Sequence, residues 1–116
     1  AVGAADDHIA PWRQTFRINN HVAGTRRYVL SSSGHILGII NPPTLPPKSE
    51  YWVASAERHD TPDNWRDRAN HVRGSWWEDW LAWLRPISGG SGTPPPVTTT
   101  EFPTLGKAPG SYVLEP

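Results

Sequence analysis

The pattern of apolar and polar positions divides the start of the chain into a strand, a helix and a second strand. Residues 1–5 are small and weakly apolar, as the end of a buried strand would be. Apolar residues at roughly helical spacing predict a helix over 11–22, with Pro11 in its first turn and Gly24 as its stop. Strand-forming residues at 27–31 predict the second strand. This order is that of a crossover unit, which normally places its two strands side by side and parallel.

A proline-rich loop and a short helix are predicted after the second strand. Proline pairs at 42–43 and 46–47 interrupt an apolar stretch and predict an extended loop. Thr61 is a suitable N-cap with a proline directly behind it, and it predicts a helix that runs to about His71, before Gly74. A tryptophan within this helix would anchor it to the core.

The most regular helical pattern covers 76–85. Ser75 and Glu78 have the spacing of a capping box, and Pro86 ends the pattern. Two adjacent apolar stripes run along this helix, one formed by Trp76, Trp80 and Trp83 and the other by Trp77, Leu81 and Leu84. Core packing explains such broad stripes more simply than ligand stacking does.

Composition indicates one small domain with a thin core and a long irregular end. Of 116 residues, 13 are proline and 10 are glycine, and only 36% are apolar. Residues 86–100 combine Gly, Ser and Thr with a run of three prolines, which is typical of a flexible linker. We therefore predict a folded part over 1–85, a linker over 86–100 and a C-terminal tail over 101–116.

Charge and apolar patterning argue against several classes of partner. Eleven Lys and Arg balance eleven Asp and Glu without a basic cluster, so we expect no nucleic acid partner. No apolar run approaches the roughly 20 residues of a membrane-spanning helix, and no leader pattern marks secretion, so a cytoplasmic protein is expected. The chain contains no methionine and begins as if partway through a strand, which leads us to expect a piece of a longer polypeptide.

Asp7 and His35 are the candidate catalytic residues, and one follows each predicted strand. The C-terminal ends of neighbouring parallel strands share one edge of a sheet, so the two side chains should meet there. A histidine can take a proton from a nucleophile near neutral pH, and a buried carboxylate can fix its tautomer and stabilise the imidazolium. An ordinary turn aspartate and loop histidine would have the same spacing, so the pair by itself indicates catalysis only weakly.

No residue of the chain resembles the nucleophile that such a pair would serve. There is no cysteine, and Ser31, Ser32 and Ser33 lie outside a Gly-x-Ser-x-Gly elbow, so they are expected to bond to loop backbone instead. Asp6 is a poorer candidate for the acid than Asp7. His21, His59 and His71 lack two further ligands at metal-like spacing, so no metal site is predicted, and His8 is expected to be a loop histidine.

Several longer motifs surround these two residues and follow them along the chain. They are Asp7-His8-Ile9-Ala10-Pro11-Trp12, Tyr28-Val29-Leu30-Ser31-Ser32-Ser33-Gly34-His35-Ile36, Asn41-Pro42-Pro43, Gly74-Ser75-Trp76-Trp77 with Trp80 and Trp83, and Ala108-Pro109-Gly110-Ser111-Tyr112-Val113. Together and in this order they resemble the C-terminal region of the polyhydroxyalkanoate (poly-β-hydroxybutyrate) synthases, class I. The resemblance spans nearly the whole chain and is weakest over 86–107.

This resemblance implies an α/β fold, namely the last strand–helix–strand unit of an α/β-hydrolase, followed by Trp-rich helices and a Pro/Gly-rich tail. It implies that Asp7 is the catalytic acid and His35 the base of an acyltransferase that polymerises (R)-3-hydroxyacyl-CoA into polyester and releases CoA. The cysteine nucleophile would lie upstream, so the chain alone is expected to be inactive.

The resemblance also implies the partners of the whole enzyme. These are the 3-hydroxyacyl-CoA substrate, the growing polyester chain, the surface of a polyester granule and a second copy in a homodimer. The CoA thioester is a substrate, and no bound cofactor is expected.

Two other functions remain open from the residues alone. The chain could be a non-catalytic binding or assembly module whose tryptophan-rich helix docks on a protein or polymer, or the same fold could hydrolyse esters. Binding that depends on Trp76 or Trp80 but not on His35 would favour the module.

Overall fold

The fold is built on a four-stranded sheet. The computed structural model describes residues 1–115 of the chain. The strands are β1 (Val2–Ala4), β2 (Arg27–Ser31), β3 (Glu50–Ser55) and β4 (Asn70–Arg73), and they lie side by side in that order. β1 and β2 are parallel, whereas β3 is antiparallel to both β2 and β4. A mixed sheet with helices packed on it is compatible with the predicted α/β class.

The crossover from β1 to β2 is present as predicted. Val2 pairs with Val29 and Ala4 with Ser31 in a parallel register. The pairing continues beyond the strands, because the amide of Ala5 donates a hydrogen bond of 2.8 Å to the Ser31 carbonyl. The C-terminal ends of both strands therefore lie at the same edge of the sheet.

The helix predicted over 11–22 is shorter and less regular than expected. Helix α1 covers Trp12–Thr15, and a 3₁₀ turn covers Phe16–Asn20. The buried side chain of Asn19 donates to the Phe16 carbonyl at 2.7 Å, and this is the carbonyl that an α-helix would offer to residue 20. The local side-chain bond thus replaces the helical one, and the prediction of one continuous helix is wrong.

Strand β3 follows the predicted proline-rich loop, in a segment for which the hydrophobic pattern predicted no element. Tyr51 and Val53 pack on one side of the sheet, and Trp52 and Ala54 pack on the other. This alternation is that of a strand with both faces covered. The strand forms because it pairs along its whole length with β2, and this pairing is not visible in the local sequence.

The second predicted helix also ends earlier than expected, because its last residues join the sheet. Helix α2 covers Pro62–Arg68, and Thr61 caps it by accepting a hydrogen bond from the amide of Asn64. Residues 70–73 pair with β3 as strand β4. His71 therefore lies in a strand and not at a helix end.

One face of the sheet carries an aromatic core beneath α1, the 3₁₀ turn and α2. Its buried residues are Trp12, Phe16, Tyr28, Leu30, Ala56 and Trp65. Trp65 is fully buried, and its ring lies 5.1 Å from that of Tyr28 and 5.5 Å from that of Phe16, measured between centroids. These large rings supply the apolar area that a small chain otherwise lacks.

The opposite face of the sheet is covered by helix α3, Trp76–Leu84, close to the predicted 76–85. Ser75 caps the helix, since its Oγ accepts the amide hydrogen of Trp77 at 3.1 Å. The helix stops before Pro86, as predicted. Trp76 packs in the buried cluster that also contains Val29, Tyr51 and Val53.

Beyond its first turn, α3 is largely exposed. The side chains of Trp80 and Trp83 are 43% and 55% exposed, so the stripe that was expected to pack is only partly covered. Every residue from 85 to 115 is exposed, and short 3₁₀ turns occupy Arg85–Ile87 and Tyr112–Leu114. None of the helices within the described part of the chain is long and apolar enough to cross a membrane.

Candidate active site

Asp7 and His35 form a hydrogen-bonded pair at the C-terminal edge of β1 and β2. The Nδ1 atom of His35 lies 2.8 Å from Oδ2 of Asp7. Asp7 follows β1 and His35 follows β2, so the parallel pairing of these strands closes the 28-residue separation between them. The structure thus brings together the two residues that the sequence singled out.

The Asp7 carboxylate is held by the backbone of the loop that follows it. Its Oδ1 atom accepts hydrogen bonds from the amides of Ile9 at 2.9 Å and Ala10 at 2.8 Å, and only 7% of the side chain is exposed. The Ala10 bond is the largest cause that holds the pKa of Asp7 below its ordinary value. Desolvation opposes this effect, while His35 and the Ile9 amide add to it. Asp7 is therefore a carboxylate at neutral pH.

The imidazole of His35 is held on one side and open on the other. Nδ1 faces Asp7, while Nε2 has no hydrogen-bond partner within residues 1–115, and the side chain is 46% exposed. A proton on Nδ1 that is donated to the carboxylate leaves Nε2 with its lone pair. The pair can therefore accept a proton from a group that approaches Nε2.

A tight loop returns His35 to the end of β1. Ser33 has a φ of 78°, a left-handed conformation that is uncommon for a residue other than glycine, and its carbonyl accepts the Asp6 amide at 3.0 Å. Beyond the histidine, the amide of Gly38 donates to the Gly34 carbonyl at 2.8 Å. Backbone hydrogen bonds thus hold the loop on both sides of His35.

Two serines of this loop form side-chain hydrogen bonds, and one of these bonds is of the predicted kind, since Ser31 Oγ donates to the backbone carbonyl of Ser32 at 3.3 Å. Ser31 Oγ accepts from the side-chain amide of Asn41 at 3.3 Å, and Ser32 Oγ accepts from the Glu50 amide at 3.1 Å. The Ser32 bond connects the loop to the start of β3, and no serine hydroxyl bonds to His35 in the described structure.

None of the other histidines bonds to the pair in the described part of the chain. His8 is exposed and takes part in no hydrogen bond within residues 1–115. His71 stacks on Trp52 with ring centroids 4.7 Å apart, and its Nε2 lies 3.0 Å from the Glu50 carboxylate. Across residues 1–115, His, Asp and Glu side chains nowhere gather in groups of three that could hold a metal ion.

Two tryptophans that the sequence assigned to core packing also contact the His35 loop. The indole Nε1 of Trp76 donates to the Gly38 carbonyl at 3.0 Å, and that of Trp77 donates to the Ile39 carbonyl at 2.9 Å. A buried indole N–H usually finds an acceptor, which is a signal that such bonds exist. The hydrophobic pattern cannot show which carbonyl accepts them.

Comparison with known proteins finds relatives along nearly the whole chain. Poly(3-hydroxyalkanoate) polymerase 2 of Ectopseudomonas oleovorans is 40% identical over 114 residues, which cover 97% of this chain and 20% of the relative. The poly(3-hydroxyalkanoate) polymerase subunit PhaC of Cupriavidus necator is 37% identical over 112 residues, 96% of this chain and 19% of the relative. PhaC of Rhizobium meliloti is 35% identical over 108 residues, 93% of this chain and 17% of the relative.

The chain spans about a fifth of the length of these curated relatives. No protein-family model matches it. The relatives agree with the family that the motifs around Asp7, His35 and Trp76 resemble. By sequence, nearly the whole chain is similar to about one fifth of the length of the poly(3-hydroxyalkanoate) polymerases.

Proposed function

We propose that this chain supplies the acid and the base of a polyhydroxyalkanoate synthase, an acyltransferase that polymerises (R)-3-hydroxyacyl-CoA into polyester and releases CoA. The observation that carries the proposal is the 2.8 Å contact between Asp7 Oδ2 and His35 Nδ1, with Nε2 of His35 left open. The names of the relatives support the substrate class. The parallel pairing of β1, which precedes Asp7, with β2, which precedes His35, supports the last strand–helix–strand unit of an α/β-hydrolase fold.

The first step in this proposal is acylation of a cysteine that lies upstream in the full polypeptide. Nε2 of His35 takes the thiol proton, and the thiolate attacks the thioester carbonyl of the 3-hydroxyacyl-CoA. The bond to the CoA sulfur breaks, and the CoA thiolate recovers the proton from His35. Asp7 holds the imidazole in the required tautomer and stabilises the imidazolium while it carries the proton.

The second step transfers the acyl group to a hydroxyl. His35 takes the proton from the 3-hydroxyl group of another hydroxyacyl unit, whose oxygen then attacks the acyl-cysteine carbonyl. The new ester bond forms as the carbon–sulfur bond breaks, and the cysteine sulfur receives the proton. Each cycle lengthens the polyester by one unit, and the same acid–base pair serves both halves.

The same proposal includes the organisation of the whole enzyme. Residues 1–85 belong to the catalytic domain, residues 86–100 form a linker and residues 101–116 form a tail. We place the enzyme in class I, in the cytoplasm, as a homodimer that works at the surface of a polyester granule. No metal or bound cofactor takes part in either half of the cycle.

The test restores the rest of a polymerase around this chain. The chain replaces the matching 114-residue segment of the Ectopseudomonas oleovorans relative, and release of CoA from a 3-hydroxyacyl-CoA is followed together with polymer mass. We expect His35→Ala and Asp7→Asn each to remove most turnover, because the thiolate is no longer formed efficiently. His8→Ala is the matched control, since this exposed histidine bonds to neither residue. Full activity in both the His35 and Asp7 variants would refute the proposal.

The products distinguish polymerisation from ester hydrolysis. A polymerase converts the substrate into CoA and polyester, whereas a hydrolase with the same acid–base pair converts it into CoA and the free hydroxy acid. We expect polyester to account for the CoA released. Equal amounts of CoA and free acid, with no polymer, would assign the chain to hydrolysis.

A non-catalytic binding module is the second candidate, and one observation favours it. Trp80 and Trp83, both partly exposed, line a groove of about 730 Å³ between α3 and the strands β1 and β2. Polyester binding by the isolated chain would support the module if Trp80→Ala abolishes this binding and His35→Ala leaves it intact. The restored enzyme would also have to remain active without His35.

A further inference from the structure

Three consecutive residues at the start of α3 donate side-chain hydrogen bonds to the loop that carries His35. Ser75 Oγ donates to the Asn41 carbonyl, and the indoles of Trp76 and Trp77 donate to the carbonyls of residues 38 and 39. We call Ser75, Trp76 and Trp77 the loop clamp. The three acceptors lie within residues 38–41, just after the histidine.

The acceptors are carbonyls that the loop itself leaves without a partner. Residues 34–40 form two overlapping turns, closed by hydrogen bonds from the Gly38 amide to the Gly34 carbonyl and from the Ile40 amide to the Ile36 carbonyl. The last carbonyls of such turns have no following backbone amide that could donate a hydrogen bond to them, so they need other donors. The loop clamp supplies these donors from an element that is 38 residues further along the chain.

A buried asparagine holds the C-terminal end of the loop through hydrogen bonds. Asn41 is 8% exposed, its Nδ2 donates to Ser31 Oγ at 3.3 Å, and its Oδ1 accepts from Ser49 Oγ at 2.9 Å. Ser49 Oγ is also within 3.0 Å of the Gly74 carbonyl, directly before the loop clamp. The loop is thus joined to β2, to the segment before β3 and to α3.

The side chains of the loop provide little burial that could hold it in place. Ile36 and Leu37, which follow His35, are each 67% exposed. Of residues 35–40 only Gly38 is buried, and a Cβ there would lie 2.4 Å from the Cβ of Ala4. The position of the loop therefore depends on backbone hydrogen bonds more than on apolar contacts.

From these contacts we propose that the loop clamp positions the base: Trp76 and Trp77 hold the loop so that His35 stays within hydrogen-bond distance of Asp7. This inference rests on the proposed function, because it concerns His35 as the base. Trp76 and Trp77 are positioning residues and touch no reacting atom. Displacing a catalytic group by about 1 Å costs up to about a hundredfold in rate, so small movements of this loop matter.

The test removes the indole N–H and keeps an aromatic ring. In the restored polymerase, we expect Trp76→Phe and Trp77→Phe each to lower kcat about tenfold or more, with KM changed little, because the proposed role of both residues is to position His35. Trp52→Phe makes the same chemical change on strand β3, where the indole N–H has no hydrogen-bond partner within residues 1–115. That control should keep the kcat of the parent enzyme.

A readout on His35 itself separates positioning from simple loss of stability. In the 116-residue chain, ¹⁵N NMR detects the proton on Nδ1 that is shared with Asp7. We expect Trp77→Phe, well below its unfolding midpoint, to shift the imidazole signals of His35 and to speed solvent exchange of this proton. Trp52→Phe should leave both unchanged. If Trp76→Phe does not fold, the half-buried Trp77 position decides the test alone.

The outcomes distinguish this inference from the proposed function. Activity that survives His35→Ala refutes the proposed role of His35 as the base, and it refutes the role of the loop clamp as well. Activity that requires His35, combined with parental kcat and unchanged His35 signals in Trp77→Phe, refutes only the loop clamp. A lower kcat with unchanged His35 signals also refutes it, because the tryptophan would then act elsewhere.

Discussion

The imidazole Nδ1 of His35 lies 2.8 Å from Oδ2 of Asp7, on the side of the carboxylate that the loop backbone leaves free. The amides of Ile9 and Ala10 occupy the other oxygen, so the carboxylate cannot rotate without losing hydrogen bonds. An acceptor in this place selects the tautomer with a proton on Nδ1. Nε2 is then unprotonated and faces solvent.

Asp7→Asn should reverse this tautomer. The side-chain oxygen can still accept the two backbone amides, which places an N–H₂ group opposite Nδ1 and moves the ring proton to Nε2. A comparable change in a serine protease triad lowers kcat roughly ten-thousandfold, and we expect a loss of similar order in CoA release by the restored polymerase. Asp6→Asn, at the exposed neighbouring position, is the control. A loss of less than about twofold for Asp7→Asn would contradict the assignment.

The stability of the chain should depend on Asp7 in acid. Its folded-state pKa is depressed, chiefly by the Ala10 amide, so ionised Asp7 stabilises the fold above the ordinary carboxyl pKa of about 3.9. This contribution is lost as the pH falls through the depressed value. Urea unfolding at about pH 6 and pH 3 should show a stability difference between the parent chain and Asp7→Asn that shrinks in acid. A difference that grows in acid would show the opposite sign.

Tyr28→Phe should weaken the aromatic core and change the alkaline limit of the fold. Tyr28 is fully buried, and its hydroxyl lies 2.7 Å from Thr15 Oγ1 and 3.3 Å from the Trp12 carbonyl. Loss of this hydroxyl should cost about 1 kcal/mol of unfolding free energy near neutral pH.

The alkaline effect follows from the raised pKa of Tyr28, which burial causes and the Thr15 bond partly offsets. The stabilisation by the protonated phenol is complete below the unfolded-state pKa of about 10 and is lost as the pH rises towards the folded-state value. Tyr28→Phe should therefore lose less stability than the parent between about pH 9 and pH 11. Tyr112→Phe, at an exposed position, should behave like the parent.

Trp65→Ala should remove the centre of the core. Trp65 contacts the rings of Trp12, Phe16 and Tyr28 and is fully buried, so truncation should cost about 3–5 kcal/mol. That is a large part of the stability of a small domain. Trp83→Ala removes the same side chain at a half-exposed position and should change the unfolding free energy of the chain far less. Equal losses in urea unfolding would contradict this packing.

Gly38→Ala should disturb the His35 loop directly. The added Cβ would lie 2.4 Å from the Cβ of Ala4 and 2.8 Å from the Gly34 carbonyl, so the backbone must move. We expect a loss of about 1–3 kcal/mol and a change in the His35 signals by NMR. Gly92→Ala, where nothing lies within 4 Å, should change neither. Unchanged stability in Gly38→Ala would show that the loop is not packed against β1.

The local pattern predicts elements that depend on neighbouring residues and misses those that depend on distant ones. The caps at Thr61 and Ser75 and the stop before Pro86 follow from residues within one helical turn. Strand β4 takes residues from a predicted helix because its hydrogen bonds to β3 outweigh their helical preference. The 3₁₀ turn after α1 depends on one side-chain bond of Asn19, which spacing alone does not reveal.

Local sequence was sufficient to predict the crossover of β1 and β2 and the apolar stripes of α3, whereas the candidate roles of Asp7 and His35 depended on the longer motifs around them. The three-dimensional fold was needed to show which carboxylate oxygen faces the imidazole and which carbonyls accept the indoles of Trp76 and Trp77. The physical reason is that these hydrogen bonds join groups 28 and 38 residues apart. Their geometry is set by strand register and by the path of the intervening loop, and neither is encoded in local periodicity.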